Sequence, residues 1–268
     1  MSAPPDTPDP LYADLNRKRL PLSPARRMVS DFLHAGLSMP TVPFQKDMQL
    51  AELAAARECA NPRPSWCSIF TKAYGKVVAA QPTLRRACLT FPTERLIEYP
   101  VTTADIVIES QHEREDVLVN LFLTEPGAMS LAEIDQRIAA LKAKPYEGSV
   151  RLRIGMRVAR LPRLLRRFGW WCTMHVSASL RGRLFATYAV SSVANWGVDS
   201  LRPISTWTTL LHYGVVDAEG KVAVRLTFDH RIMDGGPPSF ALNEMERILK
   251  TDILTEVLAL QDAAPKAT

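Results

Sequence analysis

The sequence lacks the features that mark membrane-spanning, secreted and zinc-binding proteins. No apolar run reaches the ~18 to 20 residues that a membrane-spanning helix needs. The first residues, MSAPPDTPDP, contain no apolar core of a secretory signal. The four cysteines (Cys59, Cys67, Cys88 and Cys172) have no metal-ligand spacing such as C-x-x-C. We therefore expect a cytoplasmic protein with reduced thiols and no bound metal.

Acidic residues and lysine are absent from one long stretch that is rich in arginine. Residues 151–183 contain nine arginines and no Asp, Glu or Lys, whereas the net charge of the whole chain is +5. The rest of the chain therefore carries a charge of −4. Such a local excess indicates a local anionic partner. Nucleic acid is not expected, because no nucleic-acid-binding motif accompanies the arginines.

Hydrophobic periodicity and capping residues predict one α/β domain over residues 19–260. A flexible arm at 1–18 precedes it, and a disordered tail at 261–268 follows it. Helices are predicted at 23–36, 51–60, 66–80, 130–143 and 237–250, the first and fourth with serine N-caps. Strands are predicted at 42–48, within 96–109, and at 184–193, 208–216 and 221–228. A short turn, DAEG at 217–220, joins the last two strands and favours antiparallel pairing.

The strand at 221–228 runs directly into the segment DHRIMDGG, which contains His230 and Asp234. A histidine between a buried strand and a glycine turn is held rigidly. Imidazole titrates near neutral pH, so it can accept a proton from a thiol, hydroxyl or amine and later return it. Asp234 can fix the turn by pairing with an arginine, and Gly235 permits the positive φ that such a turn often needs. His230 is therefore the candidate general base.

This H-x-x-x-D-G motif resembles the catalytic motif of the acyltransferase domain of 2-oxo-acid dehydrogenase complexes, a fold shared by chloramphenicol acetyltransferase. The similarity extends over most of the chain. LPLSPARRMVSDFL resembles the first helix of that domain, and MPTVPF followed by DMQLAELAAAR resembles its next strand and helix. SLAEIDQRIAAL resembles its central helix. YAVSSVANWG resembles the strand that carries the serine stabilising the tetrahedral intermediate.

The resemblance implies a two-layer α/β sandwich with a mixed, largely antiparallel sheet, assembled as a trimer. It implies that His230 acts as the general base through Nε2. Ser191 would donate a hydrogen bond to the developing oxyanion, with Ser192 as the alternative. Asp234 would be structural, held by Arg26 or Arg27.

In this fold the histidine and the serine face each other across a subunit boundary. The resemblance therefore implies a homotrimer or a multiple of three. His212 lies on a predicted strand near Gly214. We expect a buried core histidine there, with a position in the substrate pocket as the alternative.

The arginines at 151–183 alternate with apolar residues, so this segment is predicted to be an amphipathic insertion. It can lie on an anionic membrane surface, or dock an acidic carrier protein or the phosphates of coenzyme A. A solvated surface is the remaining alternative. Arg163, Arg166 and Arg167 are the candidate anion-binding residues.

We therefore predict a stand-alone acyltransferase without a tightly bound cofactor. The acyl donor would be a thioester of coenzyme A or of a carrier-protein phosphopantetheine, and the acceptor a hydroxyl, thiol or amine. No lipoyl domain is visible, so a core dihydrolipoyl acyltransferase subunit would need a lipoyl domain on another chain. An inactive trimeric scaffold or membrane-binding protein is the third hypothesis.

Overall fold

The structure is a computed structural model that describes residues 20–112 and 115–262. The predicted arm at 1–18 lies outside the described residues, as does the part of the predicted tail from 263 onwards. Gln261 and Asp262 belong to the last helix, so the folded chain extends two residues beyond the predicted domain. Within the described residues, no helix combines the length and the hydrophobicity needed to cross a membrane.

Residues 20–112 and 115–262 fold into eight strands and ten α-helices, together with short 3₁₀ turns and one π-helical turn. The strands are β1 Thr41–Gln49, β2 Arg86–Leu89, β3 Arg95–Glu98, β4 Thr103–His112, β5 Glu115–Thr124, β6 Tyr188–Ser191, β7 Thr209–Tyr213 and β8 Lys221–Asp229. The helices are α1 Pro24–Leu37, α2 Ala51–Cys59, α3 Trp66–Ala80, α4 Leu131–Ala143, α5 Pro145–Gly148, α6 Val150–Val158, α7 Arg163–His175, α8 Ala178–Phe185, α9 Gly236–Ile248 and α10 Leu254–Asp262. The π-helical turn Leu249–Ile253 connects α9 to α10.

Six strands form one mixed sheet in the order β1-β8-β7-β6-β4-β5. Three of its five strand contacts are antiparallel, while β6 pairs in parallel with both β4 and β7. The turn at 217–220 joins β7 to β8 as predicted, with Gly220 in the left-handed region at φ 77°. The predicted mixed, largely antiparallel sheet is thereby confirmed.

The two faces of the sheet carry two separate cores. Side chains alternate along β6, so Tyr188 and Val190 point into the main core, while Ala189 points into a smaller one. Helices α3, α4 and α9 pack on the main face. The second face is covered by α1, the loop around Trp207 and helices α7 and α8, whereas α6 contributes Leu152 to the main core.

The arginine-rich segment, residues 151–183, forms α6, α7 and most of α8. The prediction of a strand over 184–193 was partly wrong, because α8 continues to Phe185 and the strand occupies only Tyr188–Ser191. Strand β5, at the edge of the sheet, was missed. Its alternating burial is interrupted by half-buried residues, which weakens the period of two that identifies a strand.

Candidate active site

The candidate base His230 follows β8 at one end of the sheet. Its backbone N–H donates to the carbonyl oxygen of Pro40 at 3.0 Å, which fixes the chain as it leaves the strand. Its ring centroid lies 5.7 Å from that of Phe228, and 45% of its side chain is exposed to solvent. The imidazole is therefore positioned by the backbone and remains accessible to a substrate.

The residues on either side of His230 form an ion pair that closes the turn. Asp229 is fully buried and accepts from Nε and Nη2 of Arg231 at 2.9 and 2.6 Å, and from the Arg231 backbone N–H at 3.1 Å. These hydrogen bonds raise the pKa of Arg231 above its usual value. The sequence motifs predicted no role for this pair. The signal that could have identified it is the D-H-R triplet, in which Asp229 and Arg231 flank the histidine.

The predicted pairing of Asp234 with an arginine of the first helix was wrong within one protomer. The side chain of Asp234 is 93% exposed, and its Oδ1 lies 3.6 Å from Nδ1 of His230. Neither Arg26 nor Arg27 forms an ion pair with it among the described residues. Within this chain Asp234 therefore faces the imidazole and not the first helix.

The prediction of a positive φ at the glycines after Asp234 was also wrong. Gly235 has φ −66° and directly precedes α9. A Cβ at this position would lie 3.2 Å from the ring of Phe44. Close packing against an aromatic ring, and not a left-handed backbone, therefore favours glycine here.

The two candidate serines lie at the end of β6 and have different surroundings. Ser192 donates to the carbonyl oxygen of Tyr213 at 2.8 Å and accepts from the backbone N–H of Ala194 at 3.1 Å. Its hydroxyl is occupied by the backbone. Ser191 is half-buried, and its hydroxyl forms no hydrogen bond among the described residues. Ser191 is therefore the serine whose hydroxyl is available to a ligand.

His212 lies directly beside Ser191 in the parallel pairing of β6 with β7. It is buried as expected, and its Nε2 accepts from the backbone N–H of Ser200 at 3.2 Å. Burial, with a smaller contribution from Arg225, lowers the pKa of His212. The ring is therefore neutral with its proton on Nδ1, an atom that lies near the Ser191 backbone without a well-formed hydrogen bond.

A buried arginine continues this row across the sheet. Arg225 on β8 lies opposite His212, and its Nε donates to Oε1 of Gln45 on β1 at 2.8 Å. Asp199 pairs with its guanidinium at 3.4 Å. Side by side on four neighbouring strands, Ser191, His212, Arg225 and Gln45 form a polar strip across the sheet. The sequence motifs did not reveal this strip, because its members are distant in the chain.

Ser191 and His230 lie far apart within one protomer. Ser191 is level with His212 and Arg225, and His230 follows Arg225 by five residues along β8. That corresponds to roughly 16 Å along the strand, and the two strands are separated by a further 10 Å or so across the sheet. A site that uses both residues therefore requires two copies of the chain.

Two of the three candidate anion-binding arginines form ion pairs within the protein. Arg166 and Arg167 on α7 form ion pairs with Asp31 on α1, at N–O distances of 2.6 and 3.1 Å. Asp31 and Arg166 are buried. An anionic substrate would have to compete with Asp31 for these two arginines, so their binding of substrate stays a prediction, and Arg163 is the one that remains exposed.

A metal site is not found among the described residues, where no three His, Cys, Asp or Glu side chains lie close enough to hold an ion. The two candidate groups are the half-exposed imidazole of His230 at one end of the sheet and the hydroxyl of Ser191 at the end of β6.

Comparison with known proteins gives no match to a protein-family model and no match among curated protein sequences. Solved structures do match. A probable dihydrolipoamide acetyltransferase from Listeria monocytogenes has a TM-score of 0.64 at 14% identity, covering 94% of this chain and 98% of that one. Dihydrolipoamide acetyltransferase from Azotobacter vinelandii has a TM-score of 0.66 at 16% identity, covering 96% and 100%.

A truncated catalytic core of the 2-oxoacid dehydrogenase complex from Thermoplasma acidophilum also matches. Its TM-score is 0.65 at 14% identity, with 88% of this chain and 99% of that chain covered. These matches cover nearly the whole of each core. The chain therefore has the fold of dihydrolipoamide acetyltransferase catalytic cores, as the sequence motifs predicted.

Proposed function

We propose that this protein is an acyltransferase that moves an acyl group from a thioester to a hydroxyl, thiol or amine acceptor. The observation that carries this proposal is a pair of groups that make few contacts within the chain: the half-exposed imidazole of His230 at one end of the sheet and the hydroxyl of Ser191 at the end of β6. In this fold, catalysis would bring His230 of one protomer to Ser191 of the next.

The chemistry follows from these two groups. Nε2 of His230 takes the acceptor's proton as the acceptor attacks the thioester carbonyl carbon. The hydroxyl of Ser191 donates to the resulting oxyanion, a contribution of roughly 3–4 kcal/mol. When the tetrahedral intermediate collapses, the carbon–sulfur bond breaks and the imidazolium returns its proton to the leaving thiolate. The carboxylate of Asp234 lies 3.6 Å from Nδ1, on the side of the ring away from the reacting Nε2.

A structural neighbour supports this assignment of roles. In the Azotobacter vinelandii enzyme, a serine, a histidine and an asparagine four residues after that histidine have been examined for their roles in the catalytic mechanism. Here Asp234 follows His230 by four residues. The donor that we propose is coenzyme A or a carrier-protein phosphopantetheine, because both present a thioester.

The assembly that we propose is a trimer or a multiple of three. The cubic core of the pyruvate dehydrogenase complex has a TM-score of 0.66 with this chain at 15% identity. A cube has threefold axes through its corners, so such a core contains trimers. A threefold arrangement supplies each His230 with a Ser191 from a neighbouring copy.

Mixing two inactive variants tests both the roles and the shared site. His230→Ala alone should lower the rate of acyl transfer by about 10² to 10⁴-fold, and Ser191→Ala alone by about 10² to 10³-fold. In trimers reassembled from equal amounts of both variants, about a quarter of the sites should combine two intact residues and recover activity. Ser192→Ala is the matched control and should retain more activity than Ser191→Ala.

No recovery in trimers shown by mass spectrometry to contain both chains would contradict a shared site. Undiminished transfer by His230→Ala would contradict the general-base role. An assay with acetyl-CoA and free dihydrolipoamide distinguishes the dehydrogenase-core alternative, since a core subunit should accept this pair. We favour the stand-alone enzyme, because the arginine-rich helices provide a surface of their own for recruiting a partner.

A further inference from the structure

Helix α7 exposes an apolar face to solvent, although its inner face already packs Trp170 and Met174 into the smaller core beside buried polar side chains. Arg166, Trp170 and Thr173, spaced at three and four residues, face the protein and are buried or half-buried. Leu164, Phe168 and Trp171, at the same spacing, face outward. Leu164 is 83% exposed and Phe168 63%. A helix usually buries its apolar face, so this one needs a covering from outside the protomer.

The outward orientation of this apolar face of α7 has a defined cause within the fold. Asp31 is buried on α1 and binds Arg166 and Arg167, which turns the arginine side of α7 inward. The ring centroid of Trp170 lies 6.2 Å from that of Phe32 and 5.5 Å from that of Phe185. The outward orientation of the leucine and phenylalanine face is therefore fixed by buried contacts.

Exposed apolar side chains are concentrated in this part of the protein. Ten of the large hydrophobic side chains that are exposed among the described residues lie between 150 and 184: Val150, Ile154, Val158, Leu161, Leu164, Leu165, Phe168, Trp171, Leu180 and Leu184. Phe91 extends the patch, because its ring lies 5.3 Å from that of Trp171. We call the outward residues Leu164, Leu165, Phe168 and Trp171 the α7 ridge.

Uncompensated positive charge borders the α7 ridge. Arg157, Arg160 and Arg163 are exposed at the end of α6 and the start of α7, and they form no ion pair within the described residues. The segment 151–183 contains no carboxylate of its own. Exposed apolar residues beside free arginines match a surface with an apolar interior and an anionic boundary.

We infer that the α7 ridge docks the protein onto an anionic lipid bilayer. Leu164, Phe168 and Trp171 would enter the boundary between headgroups and acyl chains, while Arg160 and Arg163 would lie at the level of the lipid phosphates. An acidic carrier protein would satisfy the arginines but leave the ridge exposed to water. This inference does not depend on the proposed acyl transfer.

The ridge ends close to the His230 turn. His175, at the end of α7, bonds through Nδ1 to Oγ1 of Thr90 at 2.6 Å. Strand β2, which ends directly before Thr90, accepts a hydrogen bond from the hydroxyl of Thr208 at the carbonyl oxygen of Arg86. The carbonyl oxygen of Thr208 in turn accepts from the backbone N–H of Asp229, the residue before His230. Docking through the ridge therefore brings the end of the sheet that carries His230 towards the bilayer.

Vesicle flotation of the full chain tests this docking without any measurement of activity. The protein should float with vesicles of phosphatidylcholine and phosphatidylglycerol, bind pure phosphatidylcholine at least about tenfold more weakly, and dissociate as salt rises. Leu164→Ser with Phe168→Ser should lower binding by about tenfold or more. Arg160→Gln with Arg163→Gln should lower binding to the anionic vesicles by about tenfold at low salt.

Matched controls come from exposed residues elsewhere on the surface. Leu258→Gln on α10 and Arg137→Gln on α4 remove comparable groups and should leave vesicle binding unchanged. Equal binding by the ridge variant and the wild type would overturn the inference, as would failure of the wild type to float. A ridge variant that is folded but no longer assembles would show that the ridge is an interface between copies, and would overturn it as well.

Discussion

His230 is held by its backbone and is nearly free at its ring. The hydrogen bond to Pro40 and the buried Asp229–Arg231 pair fix the chain on both sides of it. The ring itself contacts Phe228 and leaves almost half of the side chain exposed. A residue of this kind contributes little to packing, so its removal should affect chemistry far more than stability.

Asp105 is the residue whose titration should make the free energy of unfolding depend on pH. It is fully buried on β4 and accepts from the Asn120 amide at 2.8 and 2.9 Å and from Nε1 of Trp207 at 3.2 Å. Burial, only partly offset by these hydrogen bonds, raises its pKa to about 7. The folded protein thus retains a proton at pH values where the unfolded chain, with an Asp pKa of about 3.9, has lost it.

This difference predicts that the free energy of unfolding falls as pH rises from about 4 to about 7, by up to a few kcal/mol, and then levels off. Asp105→Asn removes the titrating group and should lack this component of the pH dependence. Urea denaturation of both proteins at pH 5 and pH 7.5 measures the difference. Parallel pH profiles for the two proteins would show that Asp105 does not hold a proton when folded.

At the scale of elements, the attachment of α7 to α1 depends on Asp31. Arg166 is buried, and apart from Asp31 its guanidinium donates to the carbonyl oxygens of Leu161 and Ala159 at 2.9 and 3.5 Å. Asp31→Asn leaves this cation without a counterion. Because an unpaired buried charge is costly, the variant should lose about 3–5 kcal/mol of stability.

The double variant Asp31→Leu with Arg166→Met should recover part of this loss, since the buried carboxylate and the buried guanidinium are then both removed, while the partly exposed Arg167 loses its counterion. Arg163→Gln, on the exposed start of α7, is the control and should change stability by less than about 0.5 kcal/mol. Urea midpoints of the four proteins give the comparison. A double variant no more stable than Asp31→Asn would indicate that the shape of the pair, and not its charge, holds the helices together.

At the scale of the whole molecule, the proposed use of Ser191 and His230 in one site predicts assembly, because the two residues lie far apart within one protomer. Sedimentation velocity should show a species of three chains or a multiple of three, and transfer activity should fall in parallel with dissociation on dilution. Variants that remove a hydroxyl or an exposed imidazole, Ser191→Ala and His230→Ala, should sediment as the wild type does. A monomer with full activity would rule out a site shared between copies.

The sequence by itself determined the local elements and the motif. Helix α3 spans the predicted 66–80, because the serine before it caps its first turn and its apolar residues repeat at helical spacing. Ser23 and Ser130 cap α1 and α4 as predicted. The segment that contains His230 follows a strand as predicted. These features depend on residues that lie within one or two helical turns of each other along the chain. A local sequence pattern therefore contains the information that specifies them.

Only the tertiary structure decided the environments that depend on distant partners. Asp31 lies 135 residues from Arg166 in the chain, so nothing in the arginine-rich segment showed that two of its arginines share a buried carboxylate. The parallel pairing of β6 placed His212 beside Ser191, and packing of Trp170 turned the leucines of α7 outward. Charge, burial and orientation result from contacts between elements, and one-dimensional spacing does not specify those contacts.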